Sequence, residues 1–317
     1  MLAKYRHRLP QLNTDFFLTD GGLETTLIFH EGEELPLFAA FPLLDSEDGR
    51  KKLRKYFTTY AQIAQDYAVG IILETVTWRA SKDWAKQLGY SADKMSQLSQ
   101  NSVDMLLKIR EEYETPQSPI VISGCIGPRG DGYRPNSKMT IEQAEQYHGE
   151  QIKHFQNTSV DMITAFTISY TEEAIGICRA SAKLNIPVVI SFTVELDGNL
   201  PNGQTLQEAI ETVDLATDSA PIYYMINCAH PSHFDDVIST QESWVKRIGG
   251  LRANASNKSH AELDEAEELD DGNPIELGQQ YHNLRQLLPN LIVMGGCCGT
   301  DQRHIIEICN ANLSPQD

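Results

Sequence analysis

Eight short apolar runs, each separated from the next by a longer stretch, constrain this chain more than any other feature. The runs are FFLTDG (16–21), GIILETVTW (70–78), IVISGCIGP (120–128) and MITAFTI (162–168), followed by VVISFTV (188–194), IYYMINC (222–228), WVKRIGGLRANAS (244–256) and LIVMGGCCG (291–299). They are rich in β-branched residues or end in Gly, Pro, Asn or Asp, as strands do. Between most of them lie amphipathic stretches of helical period at 51–68, 94–114, 140–157, 171–184, 205–217, 275–287 and 301–310. Two starts carry capping signals: Thr171 with Glu172 and Glu173 behind it, and Thr205 followed by Glu208. Near-continuous apolar strands alternating with helices predict a parallel sheet covered on its outer face. Closure into a single-domain α/β (β/α)8 TIM barrel is the economical solution for eight units, with a doubly wound open sheet as the runner-up.

The length of 317 residues suits one such barrel, and 41% hydrophobic residues suffice for its core. The opening segment lacks the apolar run and small-residue cleavage site of a signal peptide, and no apolar run reaches membrane-spanning length. A cytoplasmic location is therefore expected. The net charge of -18 repels phosphates and anionic lipid, so neither nucleic acid nor membrane is expected as a partner. An acidic stretch at 257–274 (NKSHAELDEAEELDDGNP) follows the seventh strand. It lacks the spacing of an EF-hand loop and reads as a solvated loop or lid inserted on the functional face.

The chemistry concentrates in cysteine. Six occur, without the even spacing of a disulfide framework. Cys178 and Cys309 fall in helical patterns and Cys125 in the third strand, where thiols act as small hydrophobes. Cys297 and Cys298 sit in GGCCGTD at the end of the eighth strand, and Cys228 ends the sixth in YYMINCAHP. Neighbouring cysteines on a regular strand point to opposite faces, but flanking glycines relax the backbone and let both sulfurs turn to one point. Alone, a strand-end cysteine is usually buried packing, and a CC pair is also open to a vicinal disulfide. Together, at the C-terminal mouth of a barrel, the three make a Zn2+ site with one position left for a thiol. His230, His233 and His304 lie nearby in sequence but are placed outside the ligand set.

These segments resemble the homocysteine S-methyltransferase family, from DGGLETTL (20–27) through TVTWRAS (75–81), SGCIGPRGD (123–131) and SFTVELDGNLPNG (191–203) to INCAHP (226–231) and GGCCGTDQRHI (295–305). The resemblance implies a (β/α)8 barrel with zinc on Cys228, Cys297 and Cys298, and methyl transfer from a sulfonium or quaternary ammonium donor to a small thiol, homocysteine giving methionine. It also places Asp20, Gly21 and Gly22 at the acceptor. Thr77 and Trp78 of the TVTWRAS motif are further candidates, Trp78 for cation–π contact with the donor. Asn227 beside Cys228 is a candidate too, with a plain turn role as its alternative.

Two departures mark the substrate shell. Phe166 stands where such proteins carry a glutamate that binds the substrate ammonium, and LRANAS (251–256) stands where they carry a P-N-x-G stretch. Glu195 and Glu74 are the acids placed to compensate; otherwise the acceptor is a different thiol or a selenol. Two other readings of the same metal site are a hydrolytic zinc enzyme and a non-catalytic zinc or redox-sensing protein.

Overall fold

The structure is a computed structural model that describes residues 3–134, 138–238, 242–264 and 268–313. Eight parallel strands close into one barrel in sequence order: β1 Phe17–Leu18, β2 Gly70–Glu74, β3 Ile120–Ile126, β4 Met162–Ile168, β5 Val188–Phe192, β6 Pro221–Asn227, β7 Ile248–Ala253 and β8 Val293–Gly296. Closure comes from β1 pairing with both β2 and β8. The barrel is therefore the predicted one, and the open sheet is excluded. Every predicted run overlaps its strand, β6 starting one residue before its run at Pro221, and β4 coincides with its run residue for residue.

The predicted helices are found at α2 Glu47–Asp66, α4 Ala92–Tyr113, α5 Ile141–Lys153, α6 Thr171–Lys183, α7 Leu206–Thr217, α9 Pro274–Leu287 and α10 Gln302–Asn312. Three short ones join them: α1 Leu23–Thr25, α3 Lys82–Gln87 and α8 His260–Asp264. Thr205 and Glu208 form the predicted capping box on α7. Thr171 does not cap α6. Tyr170 holds the N-cap position without a side-chain bond, and the buried Glu173 instead pairs with His148 of α5 at 2.8 Å and accepts from the Arg129 N–H. Between β6 and β7 the described residues form only 3-10 turns, at Pro231–His233, Asp235–Val237 and Ser243–Arg247. His230 is the cap of the first of these, its side chain accepting from the Ser232 N–H.

Alternation along the strands builds two cores. Phe17, Ile72, Val121, Met162, Phe166, Val189, Tyr223, Met225 and Val293 fill the barrel interior. The outward residues pack with the helices in a larger cluster that includes Cys178 and Cys309. The N-terminal segment closes the bottom: Asp161, buried, accepts from the Tyr5 and Ile122 N–H groups and pairs with Arg110 at 2.8 Å. Stability-bearing charge thus lies at the closed end, and the opposite end, where the strands finish, is left for function. No helix among the described residues is long and apolar enough to cross a membrane.

Candidate active site

At that end the backbone leaves its strands in a way that gathers three sulfurs. Strand β6 stops at Asn227, and Cys228 takes a left-handed conformation at φ 55°. Such a conformation is costly for a side chain with Cβ, and it persists only where its surroundings hold it. They do: the Cys228 N–H donates to the Arg252 carbonyl at 3.1 Å, and the Cys228 carbonyl accepts from Asn254 Nδ2 at 3.1 Å and His260 Nε2 at 2.6 Å. Strand β8 stops at Gly296, and the Cys297 N–H donates to the Ala253 carbonyl at 2.8 Å. The chain then turns through Cys298 at Gly299, whose φ of 79° is one glycine adopts without strain. Thr25 and Thr300 hold that turn through the Gly299 N–H and the Cys297 carbonyl.

The result brings Sγ of Cys228, Cys297 and Cys298 within 4.8 Å of one another, the one such group of potential metal ligands among the described residues. Cys228 and Cys297 are joined as a disulfide, their Cα atoms 5.4 Å apart. Disulfide and metal ligation are alternative states of these sulfurs. Reduced, the three supply a soft, all-sulfur donor set, which is chemistry that suits zinc. The residues present therefore fit zinc.

A cavity of about 500 Å3 opens over the sulfurs. Asp20, Gly21, Gly22, Thr77, Trp78 and Asn227, all named from the sequence, line it, as do Glu74 and Phe166. Glu195 does not: β5 ends at Phe192, and Glu195 begins the turn beyond it, its N–H donating to the Asn199 carbonyl. From the acidic stretch, His260, Leu263, Glu268, Leu269 and Asp270 reach the cavity. Its residues 265–267 lie outside those described. His230, His233 and His304 are bound elsewhere, to Ser232, to the Asn257 carbonyl, and to Asp301 with the Asp271 carbonyl.

The polar groups around the cavity are mostly engaged. Asn227 braces three strands: its Oδ1 accepts from the Thr167 N–H at 2.9 Å and Ser191 Oγ at 2.6 Å, and its Nδ2 donates to Thr167 Oγ1. Thr77 Oγ1 donates to the Cys125 carbonyl at 2.6 Å. The Gly22 N–H is spent on the Thr300 carbonyl, and a Cβ at Gly22 would lie 2.5 Å from the Cys297 carbonyl, so the DGG turn packs directly against the sulfur-bearing loop. Arg79 stacks on the Trp78 ring at 4.7 Å and covers part of the surface expected to meet a cationic donor.

Arg252, unremarked in the sequence beyond its departing stretch, dominates the floor. Its Nη1 is 2.7 Å from Asp20 Oδ1, with both side chains nearly buried. Its Nε–H and Nη2–H donate to the Gly296 and Gly21 carbonyls at 2.9 and 2.8 Å, and its guanidinium lies 5.0 Å over the Phe166 ring. Tyr56 donates toward Asp20 Oδ2 and the Gly21 carbonyl. Glu74 ends β2 with Oε2 buried and unpartnered, and burial, opposed by Arg252, pushes its carboxyl up to about 7. His260 was also missed: burial, then His233, pulls its ring down to about 4, so it is neutral and donates to Cys228.

The fold and site define a parallel (β/α)8 barrel with a thiol cluster at its C-terminal mouth, and comparison narrows that class to a family. The profile described as homocysteine S-methyltransferase matches residues 17–312, and the chain belongs to that family. It is a methyltransferase. Relatives include homocysteine S-methyltransferase 1 of Brassica oleracea var. italica, 24% identical over 70% of this chain and 71% of its own length. The selenocysteine Se-methyltransferase of the same plant is 23% identical over 70% and 68%. Among solved structures, the homocysteine methyltransferase MmuM of Escherichia coli superposes with a TM-score of 0.72 in its metallated form, at 18% identity, and 0.76 in its oxidised form, at 17%. These cover 96% of this chain and 99% and 98% of theirs, which supports the same fold.

Proposed function

We propose that this protein transfers a methyl group from a sulfonium or quaternary ammonium donor to a small thiol held at zinc on Cys228, Cys297 and Cys298. The observation that carries the reading is the convergence of three sulfurs, from the ends of two different strands, on the floor of one cavity. The family and the names of the relatives, which act on homocysteine and selenocysteine, point the same way. Zinc, when bound, supplies a thiolate at neutral pH by lowering the acceptor's pKa.

The chain's own residues do the rest. Cys228, Cys297 and Cys298, whose sulfurs converge at the cavity, would hold the ion. The neutral His260 and Asn254 fix the Cys228 carbonyl and so the direction of its side chain. The cavity walls exclude water and align the two substrates, which converts a bimolecular encounter into a positioned displacement. In that step the acceptor's thiolate sulfur forms the S–CH3 bond as the donor's bond to methyl breaks. The bonding pair stays on the donor heteroatom, and the thiol proton has already left to solvent. Asp131 and Glu268, which line the cavity, favour a cationic donor.

The test is metal content by plasma mass spectrometry on reduced wild type and Cys298→Ser, with X-ray absorption at the zinc edge before and after homocysteine is added. Methyl transfer is assayed with S-methylmethionine, S-adenosylmethionine and betaine. One zinc per chain, weakened in the variant, and a methylated thiol support the reading. A chain that takes up no zinc when reduced sinks it. The Cys228–Cys297 disulfide favours a second reading, a redox-gated zinc protein; zinc release by mild peroxide with no turnover under reducing conditions would select it.

A further inference from the structure

Recognition of an amino acid's α-ammonium in a buried pocket requires a carboxylate whose charge is not already matched. The carboxylate packed beside the sulfur-bearing loop is Asp20, whose own carbonyl accepts from the Gly296 N–H at 2.9 Å. Its charge is matched within the chain by Arg252 at 2.7 Å. Arg252 is not a loose surface cation that a ligand displaces at little cost. Two backbone carbonyls and an aromatic face hold it, and it is 8% exposed. On its other side stands Phe166, which offers an ammonium only a ring already covered by the guanidinium. Glu74 and Glu24 are further acids of the cavity, and burial pushes both carboxyls up to about 7, which favours their neutral forms.

Arg252 itself faces the cavity. Of the five N–H bonds of a guanidinium, the Nε–H and one on Nη2 are spent on the Gly296 and Gly21 carbonyls, while Nη1 lies 2.7 Å from Asp20 Oδ1 as a charge pair that is not aligned as a hydrogen bond. N–H groups on both terminal nitrogens are thus left without a hydrogen-bond acceptor among the described residues, and such groups suit a carboxylate. We infer that Arg252 sets acceptor choice, excluding an α-ammonium from the floor and binding a carboxylate there, so that the thiol methylated is a mercapto acid without an amine. This rests on the methyl-transfer reading for its reaction, and not for its binding.

The test uses pairs of compounds that differ only in the amino group. Methionine and 4-(methylthio)butanoic acid, the two methylated products, are titrated by calorimetry into reduced, metal-free protein. Homocysteine and 4-mercaptobutanoic acid are compared as acceptors for zinc-loaded protein. The amine-free product is expected to bind about tenfold tighter or more in wild type, the scale of one charge-assisted contact. The preference should narrow or reverse in Arg252→Met, where Asp20 is released. Equal or tighter binding of methionine to wild type overturns the inference, as does failure of both products to bind. Wild-type calorimetry decides the matter if Arg252→Met does not fold. A preference for the amine-free product without methyl transfer upholds the inference and defeats the proposed reaction. Efficient methylation of homocysteine in preference to 4-mercaptobutanoic acid does the reverse.

Discussion

Glu74→Gln isolates the thermodynamic cost of placing an acid inside the barrel. Glu74 is 5% exposed at the end of β2, and burial raises its carboxyl from the ordinary 4.5 to about 7. Because the native pKa lies above the unfolded one, the native chain binds more protons between those two values. Stability therefore falls as pH rises from about 4.5 to about 7 and is level beyond. At about 1.36 kcal/mol per pH unit, that gap amounts to about 3 kcal/mol of destabilisation at pH 8 in wild type. Glutamine is nearly isosteric and cannot ionise, so the variant escapes this cost. Urea unfolding of both proteins under reducing conditions, at pH 5 and pH 8, reads the effect as a difference in which the pH response of every other group cancels. The variant is expected to be close to wild type at pH 5 and up to about 3 kcal/mol more stable at pH 8. A pH-independent difference, or a wild type that is the more stable at pH 8, would refute the burial argument.

Gly22→Ala puts a Cβ 2.5 Å from the Cys297 carbonyl; the sulfur-bearing loop must shift, and zinc affinity, read by chelator competition, should fall about tenfold or more. Arg110→Met leaves Asp161 charged and buried at the bottom of the barrel, so stability should drop by about 3–5 kcal/mol while zinc stoichiometry stays unchanged. A loss of zinc at that distance would show that the two ends of the barrel are not independent. Oxidation of Cys228 with Cys297 removes two ligands at once, so zinc uptake should require reductant and return when it is added, as a zinc-sensitive dye will report.

How much of this molecule was legible beforehand divides along physical lines. Strands and helices were, because their periodicity is local: MITAFTI is apolar on both faces and is buried on both. The sulfur cluster was too, because a barrel's topology tells which strand ends meet before any coordinate is known. The N-cap of α6 was misread since Thr171 and its acids fit a capping signal, while tertiary contacts claimed Glu173 for His148 instead. Glu195 was placed at a strand end that stops three residues earlier, and strand boundaries are set by register with neighbours that one segment does not reveal.

Arg252 shows why the acceptor pocket resists the same treatment. Its partners are Gly21, 231 residues away, with Asp20 beside it, and Gly296 on the far side of the sulfur loop. Nothing in LRANAS distinguishes an arginine that points to solvent from one that crosses a barrel mouth. A metal ligand is recognisable by type because few side chains bind zinc, whereas a charge in a pocket has meaning only after its counter-charge is found. Asp20 taken alone is a receptor for an ammonium; Asp20 with Arg252 is a neutral pair. The same carboxylate thus argues for opposite substrates depending on a residue at the other end of the chain. For this reason, the acceptor pocket of such a barrel is to be read from how its charges pair across the pocket and not from which acids its motifs contain.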